Sequence, residues 1–154
     1  MALKLTKEYI FKFYLNANHY ILINGKKGET HPHTWEFACD IILNNDQFVQ
    51  FNQIEKAIDT YFEKYQNQVI NEFEPFDRLN PTLENMAEYF IRDIRDIVLD
   101  LGGILIKMES SETPTRSYIL SYAEDENFLS DLEQGETKSL KNIADRIAED
   151  ALGE

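Results

Sequence analysis

Along residues 9–19 the side chains alternate. Tyr9, Phe11, Phe13, Leu15, Ala17 and His19 share one parity, and Lys12, Asn16 and Asn18 hold the other. A period of two predicts a half-buried strand, here with a histidine closing its apolar face. Gly25-Lys26-Lys27-Gly28 follows as a loop. A second strand is predicted from about His31 to Leu43, with His31, His33, Trp35, Phe37 and Cys39 on one face and Glu36 and Asp40 on the other. Asn44-Asn45-Asp46 marks a turn. The period then becomes helical. Asn52 with Glu55 three residues later forms a capping-box-like start, and Ile54, Ala57, Ile58, Tyr61, Phe62 and Tyr65 recur at helical spacing. Residues 67–79 are irregular. Asn80-Pro81 opens a second helix with the stripe Leu83, Met86, Ala87, Phe90, Ile94, Ile97 and Leu101, and Gly102-Gly103 stops it. Ile104–Met108 reads as a short buried strand. After a loop containing Pro114, Arg116–Tyr122 reads as the last one.

The order β-β-α-α-β-β separates strands from helices. It implies an antiparallel sheet with two helices packed on one face, an α+β fold. Residues 124–137 are acidic and loop-like. From Lys138 onward, Leu140, Ile143, Ala144, Ile147 and Ala151 predict an extra C-terminal amphipathic helix. The chain thus divides into a domain over 1–123 and an acidic loop with a C-terminal helix over 124–154.

Composition narrows the function. At 154 residues, 43% of them apolar and with ten Phe and eight Tyr, the chain can bury one core, which excludes wholesale disorder. The 28 acidic against 15 basic residues give a net charge of −13, of which −7 falls in residues 123–154. So acidic a surface disfavours nucleic acid and anionic membrane as partners. One cysteine, Cys39, excludes an intrachain disulfide framework and reads as a small buried hydrophobe. The first residues are too charged for a signal peptide, and no apolar run has the length of a membrane span. The expectation is a soluble cytoplasmic protein.

All three histidines fall in the first strand pair. His31 and His33 lie two apart, so their rings project to the same side, and His19 lies on the apolar face of the neighbouring strand. Three neutral imidazoles with an open fourth position are the ligand set of a catalytic zinc site. A lone His-x-His would be read as polar residues beside a core. The gathering of every histidine in one place favours zinc at His19, His31 and His33.

Several segments, in order, resemble the 6-pyruvoyltetrahydropterin synthase and 6-carboxytetrahydropterin synthase superfamily. Leu15-Asn16-Ala17-Asn18-His19 resembles its Phe-x-Ala-x-His, and Thr30-His31-Pro32-His33 its His-Gly-His with Pro32 replacing Gly. Asp46-Gln47-Phe48-Val49-Gln50-Phe51 resembles its turn-and-strand segment before the first helix. Asn80-Pro81-Thr82-Leu83-Glu84-Asn85 is similar to its Pro-Thr-x-Glu-Asn, and Ile106-Lys107-Met108-Glu109 to its late strand ending in a glutamate. The resemblance implies a tunnelling fold whose subunits join their sheets into a trimeric barrel, often stacked into a hexamer. It implies a zinc ion that binds substrate hydroxyls as a Lewis acid. It also implies Glu109 as the anchor of a pterin ring, with Thr82 beside it. Glu84 reads as helix-start chemistry.

The departures bear on activity. The family's catalytic cysteine aligns with Lys27, and its Asp-His pair with Gln66-Asn67. Amides do not titrate, so the usual proton-transfer groups are missing. A related branch uses a glutamate near the cysteine's position, which makes Glu29 a candidate catalytic residue. Lys27 is a second, if its pKa is lowered. Two readings stay open: a zinc-dependent pterin-type lyase with rearranged acid-base groups, or a non-catalytic zinc- and pterin-binding or assembly module.

Overall fold

The computed structural model describes residues 5–43 and 48–122. Four long strands form one antiparallel sheet in the order β1-β4-β5-β6: β1 (Tyr9–His19), β4 (His31–Leu43), β5 (Gly103–Thr113) and β6 (Arg116–Ser121). Between β1 and β4 lie two short strands, β2 (Leu22–Ile23) and β3 (Lys26–Lys27). Between β4 and β5 lie α1 (Phe48–Glu63), a single 3₁₀ turn at Ile70–Glu72, and α2 (Leu83–Asp100). The expected α+β order is therefore present, with both helices against one face. No helix among the described residues is long and apolar enough to cross a membrane. The turn expected at Asn44-Asn45-Asp46, and the acidic loop and helix expected over 124–154, lie outside the described residues.

The alternation that marks β1 is the alternation that fills the core. Phe11, Phe13, Leu15, Ala17 and His19 are buried, and the residues between them face away. On α1 the buried line is Ile54, Ile58 and Phe62; on α2 it is Leu83, Met86, Ala87, Phe90, Ile91, Ile94 and Val98. The second line is rotated slightly from the expected stripe, so that Ile91 and Val98 are buried while Ile97 and Leu101 are half-buried. The layers meet at aromatic rings. Phe37 of β4 stacks on Phe62 of α1 at 5.1 Å, and Phe90 of α2 meets both rings edge-on at 5.6 and 5.2 Å. Such pairs add about 0.5–1.5 kcal/mol each beyond the area they bury.

Three elements differ from expectation. Helix α1 begins at Phe48, four residues before Asn52, and so Phe48–Phe51 is helical where the resemblance implies a strand. No residue in Phe48–Phe51 breaks a helix, and the Phe51 ring packs edge-on against Tyr9 at 4.9 Å, which holds the added turn on β1. The loop at Gly25–Gly28 is half of a hairpin. Asn24 and Gly25 both take positive φ, 52° and 78°, as a type I′ turn demands. Strand β5 runs through Thr113, well beyond Met108, and its pairing shifts twice. A register shift falls between Asp40 and Ile41 on β4, and another between Ser111 and Thr113 on β5. The second leaves Glu112 outside the regular ladder.

The irregular segment 67–79 also has a definite place. Asn67 N–H donates to the Asn16 carbonyl (2.6 Å), Asn18 N–H donates to the Gln68 carbonyl (2.8 Å), and Val69 bridges Asn18 in parallel. The chain after α1 therefore lies along the outer edge of β1.

Candidate metal centre

Antiparallel register assembles the histidines. His19 pairs directly with His31, and Ala17 pairs with His33. Directly opposed residues share a face of the sheet, so all three rings stand on the same side. The small Ala17 side chain leaves room beside His33. The ring centroids lie 4.5 Å (His19–His31), 5.0 Å (His19–His33) and 4.8 Å (His31–His33) apart. One nitrogen from each ring falls within 4.8 Å of the others.

Backbone carbonyls set two of the tautomers. His19 Nδ1–H donates to the Pro81 carbonyl at 2.8 Å, and His31 Nδ1–H donates to the Glu29 carbonyl at 2.9 Å. A carbonyl can only accept, so in each neutral ring Nε2 carries the lone pair. Those two Nε2 atoms face each other at 2.9 Å. Two lone pairs at that distance repel unless a cation, whether a proton or a metal ion, lies between them. Burial, the largest influence, pushes the His19 pKa below the ordinary imidazole value. The Pro81 carbonyl pulls it up, His31 pushes it down, Glu112 pulls up and His33 pushes down, with a net lowering. His19 therefore resists the proton and keeps its lone pair for a metal. The donor set, three imidazoles of which His19 and His31 are oriented by backbone acceptors, fits zinc.

Asparagines fasten the surrounding loops. Asn71 donates to the Tyr20 carbonyl and accepts from Tyr20 N–H, and Asn80 does the same with Leu22. Asn80 also fixes the entry to α2, since its carbonyl accepts from Asn85 Nδ2 at 2.9 Å. Thr82 caps α2 by accepting from Asn85 N–H. The Pro81 carbonyl that orients His19 is thus held by the helix start.

A cavity of about 280 Å³ opens beside the rings. It is bounded by His19, His31, His33, Thr82, Glu84 and Glu112, and closed by Ile21, Leu83, Thr113 and Arg116. Thr82 therefore lines the cavity beside the histidines. Glu109 does not: it is exposed, pairs with Ala38 and Ile119, and takes no part in the cavity. The glutamate at the site is Glu112. Buried Trp35 donates its indole N–H to Glu112 Oε1 at 3.0 Å, and the same oxygen lies 3.9 Å from His19 Nε2. Sequence reasoning missed Glu112 because it ended the strand at Met108. Carrying the alternation of Met108 and Ser110 one step further would have turned Glu112 inward with them.

The remaining candidates lie outside the cavity. Lys27 and Glu29 are both exposed, the former with its ammonium 4.4 Å from the Tyr20 ring centre. Glu29 serves the site through its backbone carbonyl. Gln66 and Asn67 are spent on the edge of β1: Gln66 Oε1 accepts from Asn16 N–H, and its Nε2 donates to the Tyr14 carbonyl, both at 2.9 Å. Cys39 is fully buried, and burial, with Asp40 adding to it, pushes its thiol up to about 12.

An antiparallel sheet backed by two helices, with three imidazoles converging at one end of its first strand pair, defines a tunnelling-fold protein with a candidate metal centre. The chain belongs to the 6-pyruvoyl tetrahydropterin synthase family, whose model matches residues 8–123. Among solved structures it is similar to the 6-pyruvoyl tetrahydropterin synthase of Caenorhabditis elegans, at 14% identity over 75% of this chain and 94% of that one, with a TM-score of 0.62. The Plasmodium falciparum synthase is similar at 14% identity, 74% and 96% coverage and a TM-score of 0.52. A Plasmodium vivax synthase in which alanine replaces a catalytic glutamate follows at 12% identity, 74% and 96% coverage and a TM-score of 0.53. No curated protein matches the chain. At these identities the likeness to solved structures establishes the fold.

Proposed function

We propose that this protein binds zinc at His19, His31 and His33 and holds a pterin or related heterocycle in the adjoining cavity. The observation that carries the reading is the facing pair of Nε2 atoms 2.9 Å apart, each ring locked by a carbonyl behind it. When bound, zinc supplies Lewis-acid polarisation of a ligand oxygen. The protein's own groups orient the ligand. Glu112, aimed by Trp35, accepts hydrogen bonds from ring N–H groups, the task the family resemblance gives to Glu109. Thr82 forms the adjacent wall.

Proton transfer falls to Glu29 or Lys27 if the protein is a lyase with rearranged acid-base groups. The catalytic glutamate named for the Plasmodium vivax synthase supports testing Glu29 first. The alternative, a non-catalytic zinc- and pterin-binding module, is favoured by one specific observation. The positions aligned with the family's Asp-His pair are occupied by Gln66 and Asn67, which are engaged in backbone hydrogen bonds.

Elemental analysis and small-molecule mass spectrometry of the natively purified protein test the first reading, with one zinc per subunit and a co-purifying heterocycle expected. Replacing His31 and His33 together by Ala should abolish zinc; stoichiometric zinc in that variant refutes the site. Incubation of zinc-loaded protein with dihydroneopterin triphosphate separates the two readings: residual turnover that Glu29→Gln or Lys27→Met abolishes supports the lyase, and none at all supports the binding module. General acid-base groups contribute roughly 10²–10⁴-fold each, so turnover to 6-pyruvoyl- or 6-carboxytetrahydropterin should be severely suppressed.

A further inference from the structure

One side chain at the cavity has no task in the reading above. Arg116, at the start of β6, is the single Lys or Arg among the described residues that line it. The other polar groups there answer to neighbours. Glu112 accepts from the Trp35 indole and lies near His19. Glu84 stands in the first turn of α2, where its charge complements the positive end of the helix. Thr82 caps that helix. Arg116 makes no ion pair among the described residues, although two carboxylates share its cavity.

The charge balance says what the guanidinium is for. Three neutral imidazoles holding a divalent ion leave its two positive charges intact. Glu84 and Glu112 offset them, and Arg116 then leaves one positive charge in excess. A polyphosphate would bring several negative charges to a cavity with a single guanidinium. One carboxylate would bring the matching charge, in the planar shape that a guanidinium grips with two parallel N–H bonds.

We propose that Arg116 makes the site selective for a ligand bearing one carboxylate, with the ligand's neighbouring oxygen turned towards the histidines. The proposal rests on the zinc reading for its charge balance and deepens it by naming the substrate class. Arg116 is exposed and lines the cavity, so it meets a ligand from the rim.

The test uses the full chain loaded with zinc and two small probes, lactate and lactamide. They match in size and hydroxyl, and differ by one negative charge. Titrations followed by protein NMR should give lactate a dissociation constant about tenfold lower than lactamide, the gain expected of a charge-assisted bidentate pair. Arg116→Gln should erase the preference, Arg116→Lys should keep part of it, and both should hold zinc as wild type does. Equal affinity for the two probes in wild type, binding of neither, or a preference that survives Arg116→Gln overturns the proposal. Pterin, titrated separately by its fluorescence, tells the two readings apart. A carboxylate preference without pterin binding overturns the heterocycle reading and upholds Arg116. Pterin binding without the preference does the reverse.

Discussion

His19 shows how few contacts suffice to orient a candidate ligand. Its ring is buried against Trp35 at 5.0 Å, one nitrogen is held by the Pro81 carbonyl, and the other faces its partners. Histidine placement was legible in the sequence because two strand periodicities determine it. The parity of His19 and the His31-x-His33 spacing leave one common face once the strands pair. Glu112 was missed for a different reason: the apolar run stops at Met108, and only the extension of β5 through Thr113 carries the same alternation out to it. The two glutamates can be separated by experiment. Glu112→Gln replaces a charged acceptor, worth about 1.5–3 kcal/mol in such a hydrogen bond, so pterin affinity should fall roughly tenfold or more while zinc content holds. Glu109→Gln should leave both unchanged. Equal losses in the two variants would reinstate Glu109 as the anchor. Cys39 gives a second residue-scale prediction. With its thiol pushed up to about 12 and its side chain fully buried, the thiolate is almost absent at pH 8. A thiol reagent should label no cysteine in the native protein and one per chain in denaturant. Rapid native labelling would show that Cys39 is reachable and refute its reading as a small buried hydrophobe.

At the scale of elements, local signals succeeded where a single residue type controls the backbone. Asn80-Pro81 and Gly102-Gly103 bracket α2 as expected, with Gly102 at φ 83° closing it. They failed where tertiary contact extends an element, as at Phe48–Phe51, where ring packing against β1 outweighs the capping signal at Asn52. Gly103 joins the two cases. A Cβ at that position would lie 2.9 Å from Val98 Cγ1, 3.2 Å from Ile41 Cγ2 and 3.3 Å from Leu43 Cδ2. These are β-branched or tightly packed side chains from α2 and β4, with little freedom to withdraw. Gly103→Ala should therefore force the helix end and the sheet apart, at a cost of about 1–3 kcal/mol. Denaturant unfolding would measure it as a lower midpoint with an unchanged slope. An unchanged midpoint would mean that the contact between α2 and β4 is looser than these distances imply.

At the scale of the whole molecule, the described residues leave the four-stranded sheet with two edges and one face without helices, and together these predict an assembly. Strand β6 forms one edge. The other is β1, whose second half is covered by Gln66, Asn67, Gln68 and Val69 at Tyr14, Asn16 and Asn18. These bonds use the backbone of even-numbered residues, so the same parity places the Lys12 N–H on the outer edge, away from β4. Among the described residues no strand pairs with that first half. Opposite the helices, the face carries Ile10, Tyr14 and Ile119, each more than half exposed at 61%, 52% and 52%. Ion pairs Lys12–Glu36 and Lys107–Asp40 lie on the same face. Unpaired edges and apolar side chains on a bare face favour pairing between copies. Edge-to-edge pairing of β1 with β6 of the next copy would close a ring, the trimeric barrel implied by the family resemblance, and would curl the face without helices inward. The expected solution mass is three or six times the 18.1 kDa chain. Lys12→Pro removes a donor that β4 does not use, so it should weaken assembly more than folding. Light scattering at micromolar concentration decides the matter. A wild-type monomer would refute edge pairing outright, and a Lys12→Pro variant that assembles as wild type does would place the contact elsewhere on the sheet.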